Sequence, residues 1–310
     1  MKDYFTSTRK YLYYLLVFIP RILREIVFKS THIIKSDEIY LKIIYFLTFG
    51  KWLDLKHPER LKLFNEKIQW LKLHNNTPLH TQMVDKYEMR QIVEKTIGKG
   101  VTFPLLGVWN NTEDIDFETL PDKFVLKPTH DSGSIVFCRG KDKFDKKAAL
   151  RKLSIALKRN YYWLGREYPY KNVKPRIIAE PLMSDNETQS DLKDYKLFCF
   201  DGEVKMIQVD YDRFTNHHRN LYTPDWNLID AFILYPNNPN HIIEKPDVLP
   251  QMLAIGQKLS KGFPFVRIDL YVIGNKVYFG EFTFHHGGGL ERIRPREFNM
   301  KMGNWIKLNF

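Results

Sequence analysis

The sequence contains only two cysteines, Cys138 and Cys199, and they do not form a CxxC pair. Two thiols are too few for a cysteine-based zinc site, and so small a number argues against a disulfide-stabilised secreted domain. Both stand in apolar, strand-like segments, IVFCRG and KLFCFDG. We therefore predict two buried, unpaired thiols in a protein of the reducing cytosol.

Long apolar runs are also lacking. Residues 11–19, YLYYLLVFI, are followed at once by Pro20 and Arg21, so the run is far shorter than the roughly 20 residues of a membrane-spanning helix. No small-residue cleavage site follows, as a signal peptide would require. With its basic neighbours the segment is compatible with an amphipathic helix on an anionic membrane surface. A helix packed on the body of the protein is the alternative.

The two common glycine-rich nucleotide motifs are missing as well. Neither GxGxxG after a strand nor GxxxxGK[ST] occurs, which excludes the dinucleotide fingerprint and the P-loop. A net charge of +12 favours a polyanionic partner, such as a nucleotide, nucleic acid, a membrane surface or an acidic polymer. The basic residues are dispersed along the chain, so charge alone does not choose among these partners.

Apolar spacing predicts an α+β chain with antiparallel sheets. Helices are expected over much of residues 1–80, with Ser36 as one helix start, and strands dominate after residue 100. The Asp201-Gly202 pair predicts a hairpin turn. The other predicted elements are a helix at 81–96 ended by glycines, strands at 124–128 and 134–140, and helices at 145–160 and 247–261.

The segment from Phe263 to Gly289, FPFVRIDLYVIGNKVYFGEFTFHHGGG, predicts a second hairpin around Gly274 and Asn275. Alternate residues of a strand share a face, so Arg267 and Asp269 lie together, as do Glu281 and Thr283. A three-residue loop would place Asp269 opposite Glu281 and Arg267 opposite Thr283, whereas a two-residue loop would turn Glu281 to the other face. In the first register two carboxylates and a hydroxyl converge, a ligand set that suits Mg²⁺.

Other charged residues stand at predicted strand ends. Lys127 ends the apolar strand FVLK and runs into a turn of small polar residues, where it could meet phosphate oxygens. Glu180 ends RIIAE, and its carboxylate would contact a purine or ribose or remain an edge charge. Lys196 and Arg213, at neighbouring strand ends, are candidate phosphate contacts, with structural ion pairs as the alternative.

These parts occur in a recognisable order. The stretches FNEKIQWLKLHNNTPLHTQMVDKYEMRQIVEKTIG, LPDKFVLKPTHDSGS, DYKLFCFDGEVKMIQVDYDR and FVRIDLYVIGNKVYFGEFTF resemble the ATP-grasp superfamily, in the branch likened to the teichuronopeptide-biosynthesis protein TupA. The resemblance covers roughly residues 55–308. It implies two α+β lobes that clasp ATP, at residues 85–183 and 184–310, preceded by a mostly helical region at residues 1–84.

The resemblance also implies roles for individual residues. Asp269, Glu281 and Thr283 would hold Mg²⁺, with threonine in place of the asparagine usual in the wider superfamily. Lys127 and Arg267 would be catalytic, Lys127 also serving as a nucleotide contact. For Arg267 a salt bridge to a metal-site acid is the alternative. The remaining implied nucleotide contacts are Lys86, the phosphate-covering loop (Thr129, His130, Ser132, Gly133 and Ser134) and the adenine hinge (Glu180, Pro181 and Leu182). Lys196 and Arg213 stay candidate phosphate contacts from their positions at strand ends.

The implied reaction is phosphoryl transfer from ATP to a substrate carboxylate, followed by attack of an amine to give an amide. The family's setting implies an amino acid joined to a uronic acid or amino sugar in bacterial capsular or surface polysaccharide synthesis. The expected location is the cytoplasm or the inner face of the membrane, and no nucleic acid is expected as a partner. A metal-dependent glycosyltransferase that uses Asp210-Tyr211-Asp212 as a D-x-D motif is one alternative. A non-catalytic binder of polyanions is the other.

Overall fold

The computed structural model describes residues 19–183, 193–211, 217–241 and 243–308. Its helices are α1 (Ile19–Lys29), α2 (Asp37–Phe49), α3 (Phe64–His74), α4 (Pro78–Val84), α5 (Met89–Ile97), α6 (Lys146–Leu157), α7 (Tyr162–Gly165), α8 (Leu249–Ser260) and α9 (Arg296–Trp305). Its strands are β1 (Gly107–Trp109), β2 (Phe124–Pro128), β3 (Val136–Cys138), β4 (Ile177–Pro181), β5 (Asp194–Phe200), β6 (Glu203–Tyr211), β7 (His218–Tyr222), β8 (Phe232–Ile233), β9 (Val266–Ile273), β10 (Lys276–Thr283) and β11 (Ile293–Arg294). The strands pair antiparallel throughout, as predicted.

A four-stranded sheet of order β1-β4-β2-β3 forms the first lobe. One face buries Phe124, Leu126 and Ala179 against Leu153 of α6. Because neighbouring residues of a strand point to opposite faces, Lys127 lies on the other side of this sheet. Its ammonium group stands 5.7 Å from the ring centre of Phe103, which in turn stacks on Tyr278 of β10. The polar side of the first lobe therefore meets the second lobe.

A five-stranded sheet of order β10-β9-β5-β6-β7 forms the second lobe. One face buries Leu197, Ile207 and Ile268 against Met252 of α8. Half of the opposite face is also apolar, and there Phe198 packs with residues of α3 and α9. The other half of that face is polar and forms the floor of the cleft between the lobes.

A buried arginine joins the segment around the start of α2 to the region around α7. The guanidinium of Arg166 donates to Asp37 Oδ1 at 2.7 Å and to the carbonyl oxygens of Thr31 and Ile34, so it anchors α2 to the region around α7. Ser36 begins α2 as predicted, because its hydroxyl accepts from the Ile39 amide. None of the described helices is long and apolar enough to cross a membrane. The apolar run at 11–19 lies almost entirely outside the described residues.

The helix predicted over residues 81–96 is wrong as a single helix. The helical structure is interrupted between α4 and α5, where Asp85 Oδ1 accepts from the amides of Tyr87 and Glu88 at 2.8 and 3.3 Å. Such local side-chain bonds compete with the helical pattern. The other oxygen of Asp85 holds Arg176 at 2.7 Å, which fixes the break. Lys86 therefore lies in a bend that points toward the cleft rather than within a helix.

Smaller predictions are confirmed. Asp201 and Gly202 have φ angles of 47° and 84° and form the turn between β5 and β6. Cys138 and Cys199 are both buried and free.

Candidate active site

The hairpin of β9 and β10 has the predicted partners but not the predicted loop. Lys276 pairs with Ile273, so the turn contains only Gly274 and Asn275, which both have positive φ angles. The expectation of a three-residue loop is wrong. A β-bulge at Gly280 shifts the register by one residue, and beyond it Asp269 lies opposite Glu281.

Glycine is required at this bulge for steric reasons. A Cβ atom at position 280 would lie 2.8 Å from Cε2 of Tyr271 and 3.1 Å from the carbonyl oxygen of Asp269. The backbone of the carboxylate-bearing strand is thus one of the two obstacles. The bulge, rather than the turn, brings the two carboxylates to one face.

Arg267 connects the groups on that face. Its Nε and Nη2 donate to the two oxygens of Asp269 at 2.6 and 2.7 Å, and Nη2 also reaches Glu281 Oε1 at 3.2 Å. Thr283 Oγ1 lies 3.4 Å from the same Glu281 oxygen. Burial alone would raise the pKa of Asp269, but the charges of Arg267 and Lys196 outweigh it and lower that pKa. Asp269 is therefore an ionised carboxylate on the floor of the cleft.

The row of charges continues across the sheet. Lys196 lies opposite Asp269 in the register of β5 and β9, with its Nζ 3.2 Å from Asp269 Oδ2 and in contact with Asp194. On the next strands, Asp210 is opposite Arg219, whose Nε donates to Asp210 Oδ1 at 2.7 Å. Burial lowers the pKa of Lys196, but the attraction of these aspartates outweighs it and raises that pKa.

Glu291 and His286 close this row into a ring. Arg219 Nη1 donates to Glu291 Oε2, which lies 3.0 Å from His286 Nε2. The other ring nitrogen of His286, Nδ1, lies 2.8 Å from Nη1 of Arg267 and must accept from it, so the proton of the neutral imidazole belongs on Nε2. Burial lowers the pKa of His286, which agrees with a neutral ring.

The donor set of this floor fits a divalent cation. Five carboxylates face three permanent cations, which leaves a formal charge of −2: Asp194, Asp210, Asp269, Glu281 and Glu291 against Lys196, Arg219 and Arg267. Within the described residues no three acidic, histidine or cysteine side chains alone are placed to bind a metal. Mg²⁺ usually combines one or two carboxylates with waters and substrate phosphates, and each carboxylate oxygen has a second lone pair. Asp269 and Glu281 could therefore hold it together with a nucleotide.

The first lobe contributes basic groups from the opposite side. Lys127 Nζ donates to Glu180 Oε2 at 2.6 Å, and Arg90 Nη1 lies 3.5 Å from Glu180 Oε1. Lys86 Nζ donates to the carbonyl oxygen of Asp131 at 2.7 Å. Desolvation lowers the pKa of Lys86, while the charge of Glu281 across the cleft opposes this change. Lys86 is thus electrostatically coupled to both Lys127 and the proposed metal ligand.

The loop predicted to cover the phosphates is partly turned inward. Thr129 Oγ1 donates to the Lys174 carbonyl oxygen, and His130 Nε2 lies 3.0 Å from the Ala156 carbonyl oxygen. Ser134 Oγ donates to Asp131 Oδ2 at 2.6 Å. Ser132 and Gly133 are exposed at the tip, where Gly133 has a φ of 89°. In this arrangement the tip is exposed, whereas the side chains of Thr129 and His130 are turned toward the interior of the protein.

The remaining predicted contacts lie at the end of β4, on β5 and beyond β6. Pro181 and Leu182 are partly buried at the end of β4, next to buried Glu180, and the chain after Met183 leaves the described residues. Lys196 forms ion pairs with Asp194 and Asp269. A structural ion pair was the alternative to phosphate binding for this residue. Arg213 lies outside the described residues.

The glycine-rich segment after β10 is held in place by α3. Lys72 Nζ donates to the Gly288 carbonyl oxygen at 2.7 Å and to the Gly165 carbonyl oxygen at 2.8 Å. Gln69 donates to the carbonyl oxygens of Gly288 and Gly289. Gly287, Gly288 and Gly289 have φ angles of 55°, 61° and 66°, which non-glycine residues rarely adopt. Polar side chains along a buried helix face thus fix the loop that carries His286.

Replacing Lys72 by methionine is expected to change how stability depends on pH. Burial lowers the pKa of Lys72 from 10.5 to about 8, although Glu167 opposes the change. Between these values the unfolded chain binds more protons than the folded chain, so the stability of the native protein rises with pH. The full change corresponds to about 3 kcal/mol. Urea unfolding at several pH values between 7.5 and 10 measures it.

The control is the exposed Lys147→Met, which should follow the wild-type pH profile. The stability difference between wild type and Lys72→Met should grow in favour of wild type as pH rises. Parallel profiles for all three proteins would show that Lys72 titrates as an ordinary lysine.

Sequence reasoning left several members of the ring unassigned. Asp210 was considered only within a D-x-D motif, and Arg219 and His286 were given no role. Glu291, Lys72 and Gln69 were not recognised. One signal was available, since D-x-K, Q-x-D and R-x-D repeat at alternate positions of successive predicted strands: Asp194 and Lys196, Gln208 and Asp210, and Arg267 and Asp269.

The solved structures to which this chain is weakly similar include ligases and a synthetase. They include D-alanine–D-alanine ligase from Helicobacter pylori, with 15% identity, a TM-score of 0.40, and coverage of 74% of this chain and 61% of that one. The ATP-grasp ligase PsnB with minimal precursor, Mg and ADP has 11% identity and a TM-score of 0.37, covering 71% and 57%. N5-carboxyaminoimidazole ribonucleotide synthetase from Thermus thermophilus has 11% identity and a TM-score of 0.37, covering 74% and 51%. The chain therefore spans about half to three fifths of these proteins, and such weak likenesses assign no function.

The sequence itself gives a firmer result. No curated protein matches it significantly. The profile of the TupA-like ATP-grasp family matches residues 66–307, which is most of the chain. ATP-grasp proteins are ATP-dependent ligases that use ATP and Mg²⁺, in agreement with the predicted fold, enzyme class and cofactors. The chain belongs to the TupA-like ATP-grasp family.

Proposed function

We propose that the protein is an ATP-dependent carboxylate–amine ligase that forms an amide through an acyl phosphate. The observation that carries this proposal is the bidentate contact of Arg267 with Asp269, extended to Glu281 and His286. No cysteine lies on this floor, and a serine nucleophile paired with a histidine is not found among the floor residues described above. Chemistry that needs positioned charge rather than a protein nucleophile fits this composition.

The basic residues of the two lobes have complementary tasks in this proposal. Lys127 and Lys86 would neutralise the phosphates of ATP from the first lobe, and Arg267 would hold the transferred phosphoryl group or the accepting carboxylate from the second. Mg²⁺ bound at Asp269 and Glu281 would supply further positive charge at the phosphates. Because Lys127 now pairs with Glu180, and Arg267 with Asp269, both cations are held in place before the nucleotide arrives.

We propose further that the substrates are an amino acid and a uronic acid or amino sugar of a bacterial capsular or surface polysaccharide. A basic protein suits an acidic glycan, and the net charge of +12 agrees with this choice. The location that fits such substrates is the cytoplasm at the inner face of the membrane, with the basic apolar segment before α1 as a candidate contact. The division into a helical region and two lobes, at residues 84 and 183, is kept as part of the proposal.

The glycosyltransferase alternative loses its support. The chain belongs to the ATP-grasp family, whose fold is not the one that such a glycosyltransferase would need. Asp210 is buried and bonded to Arg219, Lys196 and Gln208, so it contributes to the ion-paired floor. Asp212 lies outside the described residues. A polyanion binder would not need the converging carboxylates of the hairpin.

The test is phosphate release from ATP with Mg²⁺, pooled amino acids and uronic-acid sugars. Release that requires both substrate classes is expected, because the acyl phosphate forms only on a bound carboxylate and is consumed only by an amine. Mass spectrometry of the products should show a new amide. Each substrate class omitted in turn is the control. A protein that shows no Mg²⁺-dependent binding of ATP would contradict the proposal.

A further inference from the structure

A basic depression lies where β8 meets β11 and α9 begins. A cavity of about 670 Å³ is lined there by Phe232, Asn237, Arg294 and Arg296. A smaller cavity of about 250 Å³ shares Arg294 with it and adds Arg292. Because the cavities share lining residues, they form one continuous surface. We call this surface, defined by Arg292, Arg294 and Arg296, the arginine groove.

The three guanidinium groups of the groove are available to a ligand. All three residues are exposed, and no described carboxylate forms an ion pair with any of them. Arg166 and Arg267 differ in this respect, because both are buried and ion-paired. Asp230 is the acidic residue that lines the larger cavity. Three arginines against this one aspartate leave the groove with a formal charge of +2.

The groove is joined directly to the floor of the cleft. Glu291, a member of the ring, immediately precedes Arg292. Arg219 Nη1 donates both to Glu291 Oε2 and to the Ile233 carbonyl oxygen of β8, each at 3.0 Å. The Leu234 amide donates to the Arg292 carbonyl oxygen at 2.9 Å. Five residues of extended chain span at most roughly 18 Å, so the Cα atoms of all three arginines lie within that distance of the Cα atom of Glu291.

We propose that the arginine groove binds the anionic remainder of the substrate whose reacting group lies over Arg267. This inference rests on the proposed ligase function. The ligand is recognised as a row of carboxylate or phosphate groups, since planar guanidinium groups bind both with paired hydrogen bonds. An acidic glycan offers carboxylates and a diphosphate-linked sugar offers phosphates. Either makes the acceptor an extended anion rather than a free monosaccharide.

The test measures binding by calorimetry in the presence of saturating ADP and Mg²⁺, with three probes. Decagalacturonate presents carboxylates, tripolyphosphate presents phosphates, and an uncharged maltodextrin of ten residues is the neutral glycan. The variant combines Arg292→Gln, Arg294→Gln and Arg296→Gln. We expect wild type to bind an anionic probe and the variant to bind it about tenfold more weakly or worse, because each substitution removes charge-assisted hydrogen bonds.

The matched control combines Lys143→Gln, Lys147→Gln and Arg151→Gln, three exposed positions on the first lobe with the same loss of charge. Binding by the control should stay within about twofold of wild type, because it retains the groove. Arg294→Glu alone serves if the triple variant does not fold. Binding of decagalacturonate alone assigns the groove to glycan carboxylates, and binding of tripolyphosphate alone assigns it to phosphates.

Two results would overturn the inference: no anionic probe binds wild type, or the groove variant and the control bind equally well. Neither result depends on turnover. Failure of the ligase proposal would appear separately, as a protein that binds the probes but releases no phosphate from ATP.

Discussion

Replacing Glu281 by glutamine is expected to lower the rate of phosphate release from ATP by roughly 10²- to 10³-fold. The amide has the shape of the carboxylate but lacks its charge, so it cannot neutralise a cation beside Asp269. The apparent affinity for Mg²⁺ should fall as well. Initial rates over a series of Mg²⁺ concentrations measure both effects.

The fold should tolerate this substitution, because the Glu281 side chain is 38% exposed and its ion pair with Arg267 spans 3.2 Å. Glu203→Gln, an exposed glutamate at the far end of the same sheet, is the matched control and should keep full activity. Wild-type turnover and an unchanged Mg²⁺ requirement in Glu281→Gln would remove this residue from the metal site.

Replacing Arg267 by lysine is expected to reduce kcat by about 10²-fold or more. A lysine keeps the positive charge but has a single ammonium group, which cannot contact Asp269, Glu281 and His286 together as the guanidinium does. The comparison with Arg267→Met separates catalysis from stability. Methionine leaves the buried Asp269 with Lys196 as its remaining cation, at a cost of about 3–5 kcal/mol.

Both variants should therefore lose about 10²-fold or more in kcat, whereas only the methionine variant should unfold at a much lower urea concentration. Steady-state kinetics and urea unfolding provide the two measurements, and Arg151→Lys at an exposed site is the control. If Arg267→Lys retains the wild-type kcat, the proposal that Arg267 stabilises the transition state is wrong. Equal loss of stability in both variants would contradict the view that the main structural role of Arg267 is to balance the charge of Asp269.

Local patterns in the sequence were sufficient for much of the second lobe. Alternation along 263–289 predicted which residues share a face, and the turn signals at 201–202 and 274–275 marked both hairpins. The sequence predicted that Asp269 lies opposite Glu281, but through a three-residue loop instead of a bulge. A three-residue loop, and a two-residue loop followed by a bulge, both place Asp269 opposite Glu281. In the local sequence only Gly280, which the bulge requires for steric reasons, distinguishes the second arrangement from the first.

The remainder of the site depends on contacts between residues that are distant in the chain. Lys72 and Gly288 are 216 residues apart, and their hydrogen bond follows from the packing of α3 on the second lobe. The ring through Arg219, Glu291 and His286 is completed in the same way. Hydrophobic periodicity places α3 as a helix but carries no information on which loop its polar face will hold. The break at Asp85 was missed because a side-chain bond replaced a helical one.

The bulge has a consequence for engineering. The bulge at Gly280 aligns the two carboxylates, so the length of the exposed turn at Gly274 and Asn275 does not set their register. A peptide tag or a fluorophore attachment sequence inserted between these two residues would leave Asp269 and Glu281 facing each other. The tip of this hairpin is therefore the natural handle for labelling or immobilising the enzyme in its active form.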